Sequence, residues 1–412
     1  MIGSLIRRYK NQLGDSLFSI MGLVLMNAVA QIVAFPLLAS KLGEVGYGDL
    51  QYLMAYINII TVSVGSAANL ARMTAPADER MRNNGDYQLF LLLVALLGLP
   101  FTLLVRRFGG VEMDTATAIC YYLLFVAMAF RYYVDVAYKL TLRYRRYFVY
   151  YCVIGAGYVI GTLLFMRTGI WPLALLVGEM MGVLFAYVRD DTLRRRMLCP
   201  SPAISRTFRI ILLLCLSEGI SNLIFNADRL MLKLLIDASA VTVYYLATLV
   251  GKTVSMVTTP LNGVLIGYLA RYEGDLDRRM MNRLLLGTLG AVLLFTGICA
   301  GGGFVALWLL YPAELEAVKP YLLLGSLAQV LYFITSIFTV ILLRFASKGY
   351  QVVINGVFGV CFFGFSIPAT LSFGINGFAL AMVGAGAVRY LTSILCGYRR
   401  AGQVAREKKS AA

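Results

Sequence analysis

The chain has 412 residues, 60% of them apolar and 14% charged, with a formal net charge of +16 and no histidine. So apolar a composition exceeds what a soluble domain of this length carries and belongs to a protein embedded in a bilayer. The missing histidine excludes Ser-His-Asp and Cys-His catalysis, imidazole metal sites and the commonest proton shuttle.

A helix needs roughly 20 mostly apolar residues to cross a hydrocarbon core about 30 Å thick. Runs of that length predict spans at 16–40, 49–71, 88–105, 117–138, 148–166 and 171–188, then at 208–231, 242–268, 284–307, 319–341, 351–371 and 377–396. Barrel strands would be half as long and would alternate in polarity. The expected fold class is therefore an all-α integral membrane protein of about 12 transmembrane helices. The first run is too long for a cleaved leader and lacks a small-residue cleavage pattern, so it reads as a retained helix. The connection from Arg189 to Thr207 holds Arg194, Arg195 and Arg196 with the breakers Pro200 and Pro202, and it divides the spans six and six. This predicts an N-terminal lobe at 1–188, a cytoplasmic linker at 189–207, a C-terminal lobe at 208–396 and a basic tail at 397–412. Pseudo-symmetric halves of this kind are common in transporters. Spans 1 and 2, with Tyr47 between them and Arg72 after, parallel spans 7 and 8, with Asp237 between and Arg271 after. No loop is long enough for a soluble domain, and no GxxxxGK[ST] run offers a nucleotide site.

Basic residues set the orientation. With the N-terminal tail (Arg7, Arg8, Lys10) inside, 27 of the 37 Lys and Arg fall on the cytoplasmic side, and 6 (Lys41, Arg106, Arg107, Arg167, Lys233, Lys319) on the other. Both termini are expected in the cytoplasm. Trp171 and Trp308 then lie at the outer ends of spans, where an amphipathic ring prefers to sit. The charge excess is positive-inside bias together with contact to anionic membrane lipids, and it requires no nucleic acid. The seven cysteines show no CxxC or ligand spacing and read as small packing residues.

Ionisable groups at membrane depth are costly and usually face a cavity, a partner or a substrate path. In chain order, Asn27 and Gln31 form a short polar stripe on span 1, with Pro36 able to loosen the backbone a turn later. Tyr52 and Tyr56 could stack on sugars, but packing is the better default for so common a residue. Arg131 lies ~12 Å deep, with Asp135 at i+4 as a local ion-pair partner. Glu179 is mid-span on an unassigned face. Glu218, Asn222, Asn226 and Arg229 follow 4, 4, 3 spacing along one stripe of span 7, with Asp228 beside it. Such a stripe lines a path or joins helices by hydrogen bonds. Glu218 is ~13 Å from the cytoplasmic face and Lys252 ~15 Å from the outer face, so both reach the midplane. They line a cavity together or form a buried ion pair locking spans 7 and 8. Arg389, like Arg131, is ~12 Å deep. Both either snorkel to the cytoplasmic face or grip phosphate at an inner vestibule.

Two segments carry a resemblance. Pro36-Leu-Leu-Ala-Ser-Lys-Leu-Gly, continuing through Glu-Val-Gly-Tyr-Gly-Asp-Leu to Tyr56, resembles the helix 1 to helix 2 connection of bacterial polysaccharide flippases. These Wzx-type exporters of lipid-linked oligosaccharide belong to the superfamily that also holds the MATE drug exporters and the lipid II flippase. Asn226-Ala-Asp-Arg-Leu-Met-Leu-Lys, followed by Val-Tyr-Tyr-Leu-Ala-Thr, resembles the matching start of their second half.

The resemblance implies two six-helix lobes in a V around a cationic cavity. It implies alternating-access transfer of undecaprenyl-diphosphate-linked oligosaccharide, such as an O-antigen or capsule repeat unit, to the outer leaflet. Arg131, Arg229, Lys252 and Arg389 are then the expected diphosphate or cavity contacts. Glu218 and Asp228 are candidates for coupling to H+ or Na+, and Asn27, Gln31, Asn222 and Asn226 are polar lining. No cofactor or metal is expected; a polysaccharide polymerase or export complex is an expected neighbour. The competing classes are a MATE-like cation exporter, which would prefer a carboxylate-dominated cavity, and an integral-membrane glycosyltransferase or polymerase, which would need acidic or histidine catalysts and a large outer loop.

Overall fold

The computed structural model describes residues 21–76, 78–269, 276–345 and 349–411. The tail basics Arg7, Arg8 and Lys10, with Arg271 and Lys348 in later connections, lie outside these residues. The described residues are helical nearly throughout and contain no strand. Over the described residues each expected span falls mainly on helix, with 16–20 of the first span lying outside them: α1 (21–42), α2 (44–74), α3 (Asn84–Phe108), α4 (Thr115–Val134), α5 (Tyr144–Thr168), α6 (Leu173–Arg189), α7 (Ile204–Leu235), α8 (Ala238–Leu269), α9 (Arg278–Leu310), α10 (Leu322–Phe345), α11 (349–373) and α12 (375–411).

The first and last pairs of helices are joined without a loop. Helix runs continuously from Met21 to Thr74 except at Gly43, whose φ of 71° and ψ of 179° turn the chain within one residue. Gly374 does the same between α11 and α12, with φ 58° and ψ −139°. A Cβ at either position would meet nothing within 4 Å, so the need for glycine is dihedral and not spatial. Before Pro36 the backbone widens into a π-helical turn over Ala30–Ala34. Proline has no N–H to offer, and its ring displaces the carbonyl four residues back.

Ordinary capping marks other ends. Asp114 accepts from the Thr117 N–H at 3.3 Å; the Thr117 side chain first, and then the backbone N–H groups of this first turn, hold its exposed carboxyl below the ordinary range. Asp277 caps α9 through the Met280 N–H at 2.7 Å. The orphan carbonyls closing α5 are met from far away in sequence: Lys41 Nζ donates to Phe165 at 3.2 Å and to Met166. Trp308 is exposed, as expected of an interfacial ring. Trp171 is buried edge-on against Tyr121 at 6.1 Å, so it anchors helix packing instead.

The chain forms two compact units, Met1–Leu230 and Met231–Ala412. In the first, α5 and α6 touch backbone to backbone, because Gly157 and Gly161 face Gly178 and the Leu173 carbonyl. Small residues permit such approach where apolar side chains gain nothing by leaving lipid for one another. In the second, α10 supplies the central wall: Val330, Phe333, Ile334 and Phe338 pack against Val292 and Cys299 of α9 and Tyr390 and Ile394 of α12.

The segment expected as a linker, 189–207, is bound to the first unit along its length. Asn84 donates to the carbonyls of Leu193 (3.0 Å) and Arg195 (2.6 Å). Gln88 donates to Leu193 O at 2.7 Å and accepts from the Leu198 N–H at 3.1 Å. Asp86, fully buried, accepts from Ser201 N–H (2.7 Å), Ser201 Oγ (2.6 Å) and Thr207 Oγ1 (3.3 Å). Gly85 lets the Cys199 backbone lie directly on α3. Arg72, counted from sequence as a cytoplasmic loop cation, is instead fully buried. It donates to Thr192 O at 3.0 Å and Tyr133 OH at 2.7 Å, and Tyr133 donates onward to Asn84 at 3.2 Å. A loop pressed onto protein must have its backbone groups met by side chains, and polar residues at 84, 86 and 88 do this from one helix start. Asp86→Ala strands three donors and is expected to lower stability by about 2–4 kcal/mol. The check is thermal unfolding of the detergent-purified protein, in which Asp86→Asn should fall between wild type and Ala.

Candidate functional site

The charges expected at membrane depth differ in how they are partnered. Arg131, on α4, is 7% exposed, and its Nε lies 2.9 Å from Glu179 Oε2 on α6. Tyr158 of α5 donates to the other Glu179 oxygen at 2.6 Å, Tyr150 donates to the Arg131 carbonyl at 3.3 Å, and the Tyr132 ring lies 4.0 Å from the guanidinium carbon. The expected i+4 pair with Asp135 is not formed. Asp135 closes α4 as its C-cap and takes Lys139 at 3.0 Å, Tyr147 OH at 2.7 Å and the Asn69 amide. The facing carboxylate of α6 wins because it meets Arg131 inside the unit, where water does not compete. Arg131 is therefore a buried, charge-compensated joint between α4 and α6.

The α7 stripe is continuous and changes in burial along its length. Glu218 and Asn222 are half-buried, whereas Asn226, Asp228 and Arg229 are 3%, 4% and 8% exposed. The amides bond back onto their own helix. Asn222 Nδ2 donates to Glu218 O and Asn226 Nδ2 to Asn222 O, both at 2.9 Å, as i, i+4 spacing allows. Asn222 Nδ2 also reaches Ser63 Oγ of α2 at 3.1 Å. This member of the stripe joins helices. Glu218, one turn away, has no ion pair among the described residues.

Glu218 belongs to the first unit and Lys252 to the second. Lys252, on α8, is 5% exposed, with Nζ 5.8 Å from the Tyr245 ring centroid. Arg389, on α12, is 6% exposed. It donates to Tyr332 O at 3.2 Å on α10 and to Asn355 Oδ1 at 3.1 Å on α11, between the rings of Tyr332 (4.4 Å) and Phe358 (5.0 Å). Among the described residues no carboxylate pairs with it, and its Nε has no acceptor. Neutral acceptors and π faces alone meet this positive charge.

On α1, Asn27 is half-buried and donates to its own Leu23 O at 2.9 Å, while the buried carbonyl oxygen of Gln31 has no partner among the described residues. Tyr52 and Tyr56 bond each other at 2.8 Å, and Tyr56 packs on Phe101. No group of three or more acidic or cysteine side chains among the described residues is placed to hold a metal ion.

Sequence reasoning missed two groups. Glu179 was seen, but its partner is 48 positions away and periodicity within one helix cannot name it. The Arg72, Asn84 and Asp86 network was hidden because each residue borders the end of an expected span, where a solvated role is the ordinary expectation.

No family model and no curated protein matches the sequence. Solved structures do match in fold. An inward-facing multidrug resistance MATE family transporter of the MOP superfamily superposes with a TM-score of 0.69 at 17% identity, over 96% of this chain and 100% of that one. The lipid II flippase MurJ in an inward closed conformation gives 0.63 at 12% identity, over 96% and 90%. A MATE protein in complex with MaD5 gives 0.61 at 15% identity, over 95% of both chains. The protein is a multi-pass membrane protein with the MATE and MurJ fold.

Removing one side of the Arg131–Glu179 pair leaves an uncompensated buried charge. Glu179→Ala should destabilise by about 3–5 kcal/mol, whereas Arg131→Met with Glu179→Leu should recover most of that loss. Thermal unfolding in detergent reads both. Equal destabilisation by the single and double variants would show that the pair is not the joint described.

Proposed function

We propose that the protein is a flippase that carries an undecaprenyl-diphosphate-linked oligosaccharide from the inner to the outer leaflet of the bacterial cytoplasmic membrane. It works by alternating access between two six-helix lobes, with both termini in the cytoplasm. The observation that carries this reading is Arg389: a buried guanidinium opposed by no carboxylate among the described residues, in a fold shared with a lipid II flippase. A site meant for organic cations would not retain an uncompensated cation at depth. A diphosphate crossing hydrocarbon unaided would lose its hydration, and fixed cationic donors replace that water.

Arg389, Lys252 and Arg229 are each proposed as diphosphate contacts, and Arg131 is set aside because Glu179 already neutralises its charge. Glu218 and Asp228 are the coupling carboxylates for H+ or Na+, and Asn226 and Gln31 are polar lining. A polysaccharide polymerase or export complex would take the product on the outer face. A cation-exporter reading has one observation in its favour: Glu218 is half-buried without an ion pair among the described residues, and the fold is also that of a multidrug MATE transporter.

Proteoliposomes separate the two readings. With a short undecaprenyl-diphosphate oligosaccharide, Arg389→Gln should slow flipping by ~10-fold or more, with Arg389→Lys partly rescued because it keeps charge but loses the bidentate fork. Glu218→Gln should spare downhill flipping and abolish acceleration by an imposed ion gradient. Absence of flipping by folded wild type, together with gradient-driven export of an organic cation lost in Glu218→Gln, would replace the flippase with the exporter.

A further inference from the structure

At one end of the second unit, arginines from distant parts of the chain stand at one level on helices that pack together. Helix α12 (375–411) is about 55 Å long at ~1.5 Å per residue, whereas the hydrocarbon needs only about 30 Å. It is still packed well past its apolar run: Ala401 is 1% and Val404 8% exposed. Gly397 sits against Met281 of α9, where a Cβ would meet the sulfur at 2.8 Å. Tyr398 OH donates to Asn282 Oδ1 at 2.6 Å, and Arg400 Nε donates to Phe345 O at 2.8 Å, closing α10.

The Tyr398–Asn282 bond fixes the level of their chain neighbours. Arg399 follows Tyr398 and Arg283 follows Asn282, and Arg279 lies one turn before Arg283. All three are exposed, as are Arg278 and Arg406, and none makes an ion pair among the described residues. The exposed Asp277 carboxylate already caps α9. Arg283 immediately precedes the apolar run that starts at Leu284, and Arg399 stands three residues past Cys396, where the apolar run of α12 ends. These guanidiniums therefore stand at the depth where hydrocarbon gives way to headgroups.

We propose that Arg279, Arg283 and Arg399 form a docking site for the headgroup of an anionic glycerophospholipid. A guanidinium fork matches the oxygens of a phosphodiester, and a lipid without a compensating ammonium supplies the opposing net charge. The depth of the cluster favours a lipid over an acidic protein, whose surface would have to enter the headgroup layer. The packing of α12 on α9 and α10 fixes the backbone positions from which the three donors extend, so only side-chain freedom is lost on binding.

The test uses the full chain, purified in detergent and delipidated, titrated with phosphatidylglycerol or phosphatidylcholine and read by native mass spectrometry. Wild type should prefer phosphatidylglycerol by ~5-fold or more, with the preference shrinking as salt rises from ~0.05 to ~0.5 M. Arg279→Gln with Arg283→Gln and Arg399→Gln should abolish the preference, the corresponding triple Lys variant should keep it, and Arg106→Gln with Arg107→Gln, on α3, should leave it intact. If the triple Gln variant does not fold, as judged by its melting profile, Arg399→Gln alone should still lower the preference. A triple Gln variant that folds and retains the preference would overturn the proposal. So would wild type that shows no lipid preference but binds polyglutamate through the same three arginines, which would make the occupant an acidic protein.

Discussion

Hydrocarbon supplies no hydrogen-bond partners, so any backbone that enters it must satisfy its own polar groups. Continuous helix is the response across the described spans, and at two places it extends even to where helices reverse. At Gly43 and Gly374 the chain changes direction within a single residue, and helix resumes at once. Only a residue without a Cβ adopts those dihedrals at low cost, so two glycines replace what would otherwise be loops with exposed carbonyls. The same demand explains why Lys41 closes the end of α5 and Arg400 the end of α10.

Charge obeys the demand in a different way. A buried ion is tolerated when another group cancels or solvates it, and the two units contain contrasting solutions. In the first, Arg131 meets Glu179 with Tyr158 completing the carboxylate, which fixes three helices and leaves no net charge. In the second, Arg389 is held by a carbonyl, an amide and two aromatic faces, which orient it without cancelling it. Residual positive charge at depth is what an anionic cargo requires, and it directs attention from Arg131 to Arg389. The polar groups at the helix ends show the same economy. Asp86, Asn84 and Gln88 turn what looked like a tether at 189–207 into a fixed part of the first unit.

The sequence by itself determined the helices, because the period and length of apolar runs are local properties and, over the described residues, each expected span falls mainly on helix. Arg229, Lys252, Arg389, Asn226 and Asp228, singled out for their position within apolar runs, are all buried. The spacing of Glu218, Asn222 and Asn226 was legible too, because i, i+4 bonding is decided within one helix. Pairing across helices was decided only by the tertiary structure. Arg131 had a carboxylate four residues on, and local spacing favoured it, yet the α4–α6 contact delivered Glu179 from 48 residues away. Arg72 reads as one more cytoplasmic cation until α3, α4 and the 189–207 segment close around it. An electrostatic partner is set by distance and desolvation in three dimensions, and neither quantity is written in the order of residues along one strand of chain.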